Sequence, residues 1–339
     1  MKKTKGIKER ITEAVTIPPN YLSEHPPFPK SVKIELTSRC DLKCFFCSLT
    51  FKERTKGDIE RDFLFNLLDQ LKECGVKEVG FFWLGEPLLV KELPEYVAYA
   101  KKIGIEYVFI TTNGRLATPK RVKPVFDAGL DSIKVSVNGA NREQYHKATR
   151  VDAFDRVIAN LKKLKEVRGD RDKPVIYASS MFNPNSKTSI FDQVHPLIEN
   201  YVDQHYGIRL YGEFTYEEEV EGKERPVEKV KVVTLEDMLP CWSVFMLPHI
   251  SYHGHMSICY CDHDPKLFIA DLNKMSFAEA WHCDKFAEIR RAHLNKDVRG
   301  YACQDCIAYK SFKDSWQEKE ATAKKVPEEE LEVFNSRIA

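Results

Sequence analysis

The chain has 339 residues, 43% of them hydrophobic, with 52 lysines and arginines against 51 aspartates and glutamates and a net charge of +1. That length fits one large domain with a smaller one beside it, and the balanced charge excludes a general nucleic-acid or membrane-surface binder. The basic opening MKKTKGIKER leads into no apolar run, so no signal peptide is expected, and no stretch reaches the ~18 apolar residues of a membrane span, so a cytoplasmic chain is expected and its ten cysteines point to metal or redox chemistry rather than disulfides.

Residues 1–31 read as a short helix and a proline-rich lead-in, TIPPNYLSEHPPFPK. A strand follows, VKIELT (32–37), and directly after it comes CDLKCFFC, which holds Cys40, Cys44 and Cys47. A disulfide framework wants an even count in a small secreted chain, and a structural zinc site takes four ligands, usually as two C-x2-C pairs. Three thiolates on one short loop suit an iron–sulfur cube, with the fourth iron open to a small chelating molecule.

From there strands and helices alternate. ERDFLFNLLDQLKEC (60–74) places Phe63, Leu64, Leu67, Leu68 and Leu71 on one helical face. EVGFFWLG (78–85) reads as a buried strand, and PEYVAYAKKIG as a helix closed by Gly104. YVFITTNG (107–114) is a strand ending in a turn. TPKRVKPVFDAG is a helix with Thr118 as N-cap, Pro119 at its first position and Gly129 as its stop. SIKVSVNG (132–139) is a strand, and DAFDRVIANLKKLKEV a helix starting at Asp152. PVIYASSM (174–181) and GIRLYGEF (207–214) are strands, with IFDQVHPLIENYV the helix between them. About six β-α units imply an α/β fold with a parallel sheet. The distinctive turns all follow strand C-termini, where β/α barrels carry their chemistry: Cys40 to Cys47, Gly85-Glu86-Pro87, Asn113-Gly114 and Ser136 to Gly139.

Residues 215–236 are highly charged and read as a linker or solvated hairpin; 241–306 is cysteine-rich; 313–339 is a charged helical pattern. The expected division is a lead-in (1–31), a barrel (32–236), a small cysteine-rich domain (237–312) and a tail (313–339). Taken singly, several motifs have plain structural readings. GEP is an ordinary strand-to-helix turn, Asn-Gly a tight-turn dipeptide, Arg150 a surface residue near a helix start, and Cys241, Cys259, Cys303 and Cys306 a four-cysteine zinc site.

Together they carry a resemblance. C-x3-C-x2-C after the first strand of a β/α series, with Phe46 before the third cysteine, resembles the signature of the radical S-adenosylmethionine (radical SAM) superfamily. LGEPLL resembles that family's GGEPLL stretch, with Leu84 in place of the first glycine; Gly85, Glu86 and Pro87 would hold the methionine ammonium, which wants backbone carbonyls and a carboxylate. TTNG and SVNG resemble the family's third and fourth strand ends. The second usually reads S-x-D-G and contacts the ribose; Asn138 here can still hydrogen-bond a hydroxyl but cannot act as a base. Arg150 resembles an arginine that pairs with a carboxylate of cofactor or substrate. Cys241, Gly254, Cys259 and the pair Cys303 and Cys306 resemble the auxiliary-cluster region of the SPASM/twitch branch. IAYKSFKDSW supplies no further cysteine, as in the shorter twitch version, where four cysteines hold one cluster suited to carrying electrons.

The resemblance implies a partial (β/α)6 TIM-like barrel followed by a small twitch-like domain. It implies S-adenosylmethionine and two [4Fe-4S] clusters as cofactors: a reactive one on Cys40, Cys44 and Cys47, and an auxiliary one on the late cysteines. Phe46, Gly85, Glu86, Pro87, Asn113, Ser136, Asn138 and Arg150 would surround S-adenosylmethionine. The implied partners are a small-molecule substrate and an external one-electron reductant such as flavodoxin or ferredoxin, with no nucleic acid and no membrane. The implied reaction is reductive cleavage of S-adenosylmethionine, hydrogen abstraction, and oxidation of the substrate through the auxiliary cluster, as in dehydrogenation of a sugar or aminocyclitol. Epimerisation, peptide modification and a non-catalytic zinc protein stay as alternatives. The 31 residues before the first strand are too few for a peptide-binding domain, which favours a small molecule. Tyr211 and Glu213 are expected near the pocket, Cys261 as a competing ligand or hydrogen donor, and Cys74 and Cys283 as packing residues. His249 and His253 are expected in a turn rather than on a metal-binding helix.

Overall fold

A computed structural model describes residues 6–50, 55–182, 189–209, 239–259 and 268–306. Six strands pair in parallel in chain order: β1 (Ser31–Ile34), β2 (Glu78–Phe81), β3 (Tyr107–Thr112), β4 (Ser132–Ser136), β5 (Val175–Phe182) and β6 (Gln204–Arg209). The first helix, α1 (Ile7–Val15), precedes them. Helices α2 (Arg61–Glu73), α3 (Leu93–Lys102), α4 (Pro119–Asp127), α5 (Arg142–Thr149), α6 (Phe154–Arg168) and α7 (Ile190–Ile198) lie in the crossovers. Each crossover adds the next neighbour on the same side, which curls the sheet towards a barrel.

The alternation of the strands fixes both faces. Val32 and Ile34, Val79 and Phe81, Val108 and Ile110, Ile133 and Val135 are buried in one core with Leu64, Leu68, Leu71, Val122 and Leu161 of the helices. The intervening residues, Lys33, Phe109, Lys134 and Tyr177 among them, face the lumen. Helix α1 stops the N-terminal end of that lumen: Arg10 lies 3.5 Å over the Tyr107 ring and pairs with Glu78 at 2.8 Å.

Beyond β1 the same sheet continues. β7 (His249–Ile250) pairs with β1 in parallel, and β8 (His255–Ser257) and β9 (Phe268–Asp271) follow antiparallel, giving nine strands in the order β6-β5-β4-β3-β2-β1-β7-β8-β9. Helices α8 (Trp242–Met246), α9 (Phe277–Trp281) and α10 (Asp284–Leu294) complete this C-terminal part. The proline-rich lead-in is tied across it. The buried Arg290 guanidinium lies between the Trp281 and Phe286 rings and donates to the Glu24 and Trp281 carbonyls, while Trp281 Nε1 donates to Pro27 O.

Several boundaries differ from the sequence reading. α5 was not anticipated: only Tyr145, Ala148 and Thr149 of its eight residues are buried, too few to print a helical period. It is started by Asn141, whose side chain accepts from Gln144 N. α6 begins at Phe154 rather than Asp152. Thr118 occupies the N-cap of α4 without a side-chain capping bond. β6 starts at Gln204 rather than Gly207, and residues 210–214 of the expected strand lie outside the described residues. The histidine-rich HISYHGHM, expected as a turn, forms the β7–β8 hairpin. Tyr211, Glu213, Cys261, the linker 215–236 and the tail 313–339 lie outside the described residues. Among the described residues no helix is long and apolar enough to cross a membrane.

Candidate functional site

The loop after β1 carries Cys40, Cys44 and Cys47, all half-buried. It is anchored by buried Leu42 and docked on the end of α5. Lys43 N donates to Thr149 O (3.0 Å) and Phe45 N to Ala148 O (3.1 Å), so the loop satisfies two carbonyls that a helix end leaves without partners. Arg150 caps the same end with a left-handed backbone (φ 60°), and its side chain is exposed. Phe46 packs edge-on to Phe45 at 5.2 Å.

The thiols are coupled. Burial pushes Cys40 up to about 12, with Glu86, Asp41 and Cys47 adding to the rise. Burial likewise pushes Cys44 up, followed by the charges of Cys47 and Cys40. Thiols so placed stay protonated at neutral pH unless a cation stabilises the thiolates, the condition a cluster meets. Beside Cys44 lies Tyr145, 1% exposed, whose phenol oxygen has no hydrogen-bond partner among the described residues, and Cys44 is the charge that perturbs it most. A buried donor left over next to three thiols fits a cluster, whose sulfurs can accept from it.

The turn after β2 abuts this loop. A Cβ on Gly85 would lie 1.8 Å from Thr37 O and 3.0 Å from Arg39 O, so this position is glycine because two backbones cross there. Glu86 is 2% exposed. Its carboxylate accepts from Thr112 Oγ1 (2.7 Å), Asn113 N (2.8 Å) and Leu88 N (3.0 Å), joining the β2 and β3 turns. Burial raises its carboxyl to about 7, against the pull of those donors. Pro87 opens a short buried 3-10 turn. Asn113 donates to Asp41 Oδ1 (2.7 Å), and Arg115 pairs with Asp41 Oδ2 (2.9 Å). Asp41 and Arg115 were missed in the sequence; Asp41 sits inside the cysteine motif, but nothing in the local pattern names its partners.

Ser136 and Asn138 follow on the β4 end, half-buried. Among the described residues neither side chain has a hydrogen-bond partner, so both keep donors and acceptors for a ligand. Two residues below Ser136 on the same face, about 7 Å deeper, lies Lys134. Its ammonium is 5.9 Å from the Phe82 and Tyr206 rings; Lys33 from β1 comes 5.5 Å from Phe82 and 4.0 Å from Phe109. Burial lowers Lys134 to about 8, and lowers Lys33 to about 7 against the attraction of Glu78. A lysine at an inward position of SIKVS was the sequence signal for this lumen charge.

The late cysteines gather in the C-terminal part. Cys241 precedes α8, Cys259 follows β8, Cys303 lies within a 3-10 turn (Ala302–Asp305) and Cys306 caps its end. Burial pushes Cys241 well up, and Cys259, Cys306 and Cys303 each raise it further, so all four are neighbours. Among the described residues no group of three or more His, Cys, Asp or Glu side chains is arranged to hold a metal ion. His293, also missed, lies between Cys241 and Cys303. Cys74 and Cys283 pack half-buried against the core.

The radical SAM superfamily model matches residues 34–182, and that of the SPASM iron-sulfur cluster-binding domain matches residues 241–307. A probable GTP 3',8-cyclase of Saccharolobus islandicus (strain M.14.25 / Kamchatka #1) is 36% identical over 138 residues, 41% of this chain and 44% of that protein. The chain thus spans less than half the length of the curated relatives it matches. BtrN in complex with AdoMet and 2-DOIA superposes with a TM-score of 0.54 at 19% identity, covering 84% of this chain and 92% of that one. Streptococcus suis SuiB gives 0.60 at 18%, covering 81% and 73%. At such identities the likeness is one of fold, the partial barrel. The two matched domains imply S-adenosylmethionine and [4Fe-4S] clusters as cofactors. With the first domain over the parallel strands and the second over the late cysteines, the chain carries a radical SAM domain followed by a C-terminal SPASM domain.

Proposed function

We propose that this enzyme oxidises a small anionic molecule by two electrons, with Cys40, Cys44 and Cys47 holding a reactive cluster and Cys241, Cys259, Cys303 and Cys306 an auxiliary one. Bound S-adenosylmethionine and the reactive cluster supply the hydrogen-abstracting 5′-deoxyadenosyl radical, and the auxiliary cluster supplies an acceptor for the electron the substrate then loses alongside a proton. The observation that carries the reading is the presence, beside one continuous sheet, of two separate groups of half-buried cysteines, one in the loop after β1 and one in the C-terminal part.

The chain's own work is to hold and orient. Glu86 locks the β2 and β3 turns together, which leaves the Leu84 and Gly85 carbonyls to receive an ammonium, the Glu86 carbonyl already accepting from Leu89 N. Asp41, tied to Asn113 and Arg115, sets the cysteine loop against the β3 end. Ser136 and Asn138 offer hydroxyl and amide groups to a ribose. Beneath them Lys134 and Lys33 favour a substrate with a carboxylate or phosphate. They disfavour an aminocyclitol cation, because a second positive charge in that enclosed lumen would be repelled.

The test is an iron and acid-labile sulfide count on anaerobically reconstituted protein. About eight of each per chain are expected, and a product lighter by two hydrogens. About four of each would remove the electron acceptor and with it the oxidative reading. Zinc without iron would overturn the catalytic reading. An unchanged product mass with solvent deuterium incorporated would mark epimerisation instead.

A further inference from the structure

We propose that His293 donates a hydrogen bond to the sulfur of Cys303 and thereby raises the reduction potential of the auxiliary cluster. The inference rests on the reading of the late cysteines as cluster ligands.

His293 stands in the last turn of α10, 1% exposed, with Phe245 edge-on at 6.4 Å. Its Nδ1 lies 3.2 Å from the amide nitrogen of Cys241, and its Nε2 lies 3.3 Å from Cys303 Sγ. An amide N–H can only donate, so Nδ1 must present its lone pair and carries no proton. The proton of the neutral ring therefore sits on Nε2 and points at the Cys303 sulfur. That tautomer leaves Nε2 no lone pair for iron, so His293 is a positioning residue and not a ligand. One ring spans two cysteine loops, Cys241 and Cys303, that no local sequence pattern brings together.

The consequence is electrostatic. A donor to a ligand sulfur stabilises the more electron-rich, reduced cluster more than the oxidised one, and hydrogen bonds to the sulfurs are among the levers that set such potentials. Burial strengthens the effect, because little water competes for the sulfur. An acceptor of electrons from a substrate gains driving force from a higher potential, so this ring suits the oxidative direction.

The test uses the full-length reconstituted chain with Cys40, Cys44 and Cys47 changed to alanine, which leaves only the auxiliary cluster's signal. Reduction is followed by electron paramagnetic resonance against applied potential for that background and for its His293→Leu and His293→Gln forms. His293→Leu is expected to lower the reduced-to-oxidised ratio at fixed potential by about tenfold, about 59 mV for a one-electron couple. His293→Gln, whose amide can donate, should lie between. An exchangeable-proton coupling to the reduced cluster should be present in the background and absent in His293→Leu. Equal potentials in all three forms, or a nitrogen coupling large enough for an Fe–N bond, would overturn the proposal. If His293→Leu loses its cluster, His293→Phe, which fills the site with a ring that cannot donate, decides: a lowered potential supports the donor role, and an unchanged one overturns it. About four irons rather than eight in the unmodified chain would overturn both this inference and the two-cluster reading. Eight irons with no shift in potential would overturn this inference alone.

Discussion

Gly85→Ala tests whether the crossing of two backbones, rather than ligand approach, dictates glycine in the LGEPLL turn. The added Cβ would stand 1.8 Å from Thr37 O and 2.7 Å from Thr37 C, and must open by 1.2 Å merely to reach the 3.0 Å that real Cβ atoms respect. Both obstacles are backbone, in the segment between β1 and Cys40, so no side chain can swing aside. Arg39 O, 3.0 Å from the same Cβ, also accepts Glu86 N at 2.9 Å, and that bond goes when the segment shifts. Overpacking costs about 1–3 kcal/mol and the lost hydrogen bond about 1 kcal/mol, so a loss of about 2–4 kcal/mol is expected. Gly75→Ala is the control: φ is +77° with nothing within 4 Å, so only left-handed strain of about 1–2 kcal/mol applies, and asparagine should recover part of it. Urea unfolding of the metal-free chain reads both losses at constant m, and iron content after reconstitution should fall for Gly85→Ala only. A Gly85→Ala chain within about 0.5 kcal/mol of the parent and fully loaded with iron would refute the reasoning.

Asp41→Asn and Arg115→Gln should each destabilise by about 1.5 kcal/mol, the worth of a charge-assisted bond in a part-buried site. The double variant should cost well under the sum, and strict additivity would show that the pair does not position the loop. A pH dependence follows from His205, which burial lowers to about 4, with His195 adding to the drop. Ser180 Oγ (2.9 Å), His195 Nδ1 (3.2 Å) and the Phe191 ring face it. Its folded pKa lies below the unfolded value of 6.5, so the unfolded chain binds the proton more tightly. Stability should be fully present above pH 6.5 and fall as pH drops towards 4; His205→Phe should flatten that decline in urea midpoints, and an unchanged slope would refute it.

The parallel strands and the C-x3-C-x2-C loop were legible because both are local signals. Val32, Ile34, Val108 and Ile110 repeat with a period of two, and Cys40, Cys44 and Cys47 stand within one turn of chain. What escaped was non-local or polar. Asp41 meets Arg115 across 74 positions, and Cys241 meets His293 across 52. α5 buries too few side chains to show a period, yet it carries the cysteine loop. β7 has two residues, and no pattern that short announces a strand. In GEP the glycine answers to Thr37, and Glu86 answers to Thr112 and Asn113, contacts that the motif by itself does not announce.

The pairing of β7 with β1 has a consequence for how the molecule opens. Lys33 N donates to Pro248 O at 3.2 Å and Glu35 N to Ile250 O at 2.8 Å, so the strand that feeds Cys40 borrows its outer partners from the C-terminal part. Those two amides reach water only when the late strands peel away. The two cysteine sets therefore share one cooperative unit of local unfolding. Oxidative loss at Cys241, Cys259, Cys303 or Cys306 that loosened the late strands would free the root of the Cys40 loop in the same event, and damage begun at one end of the sheet would be felt at the other.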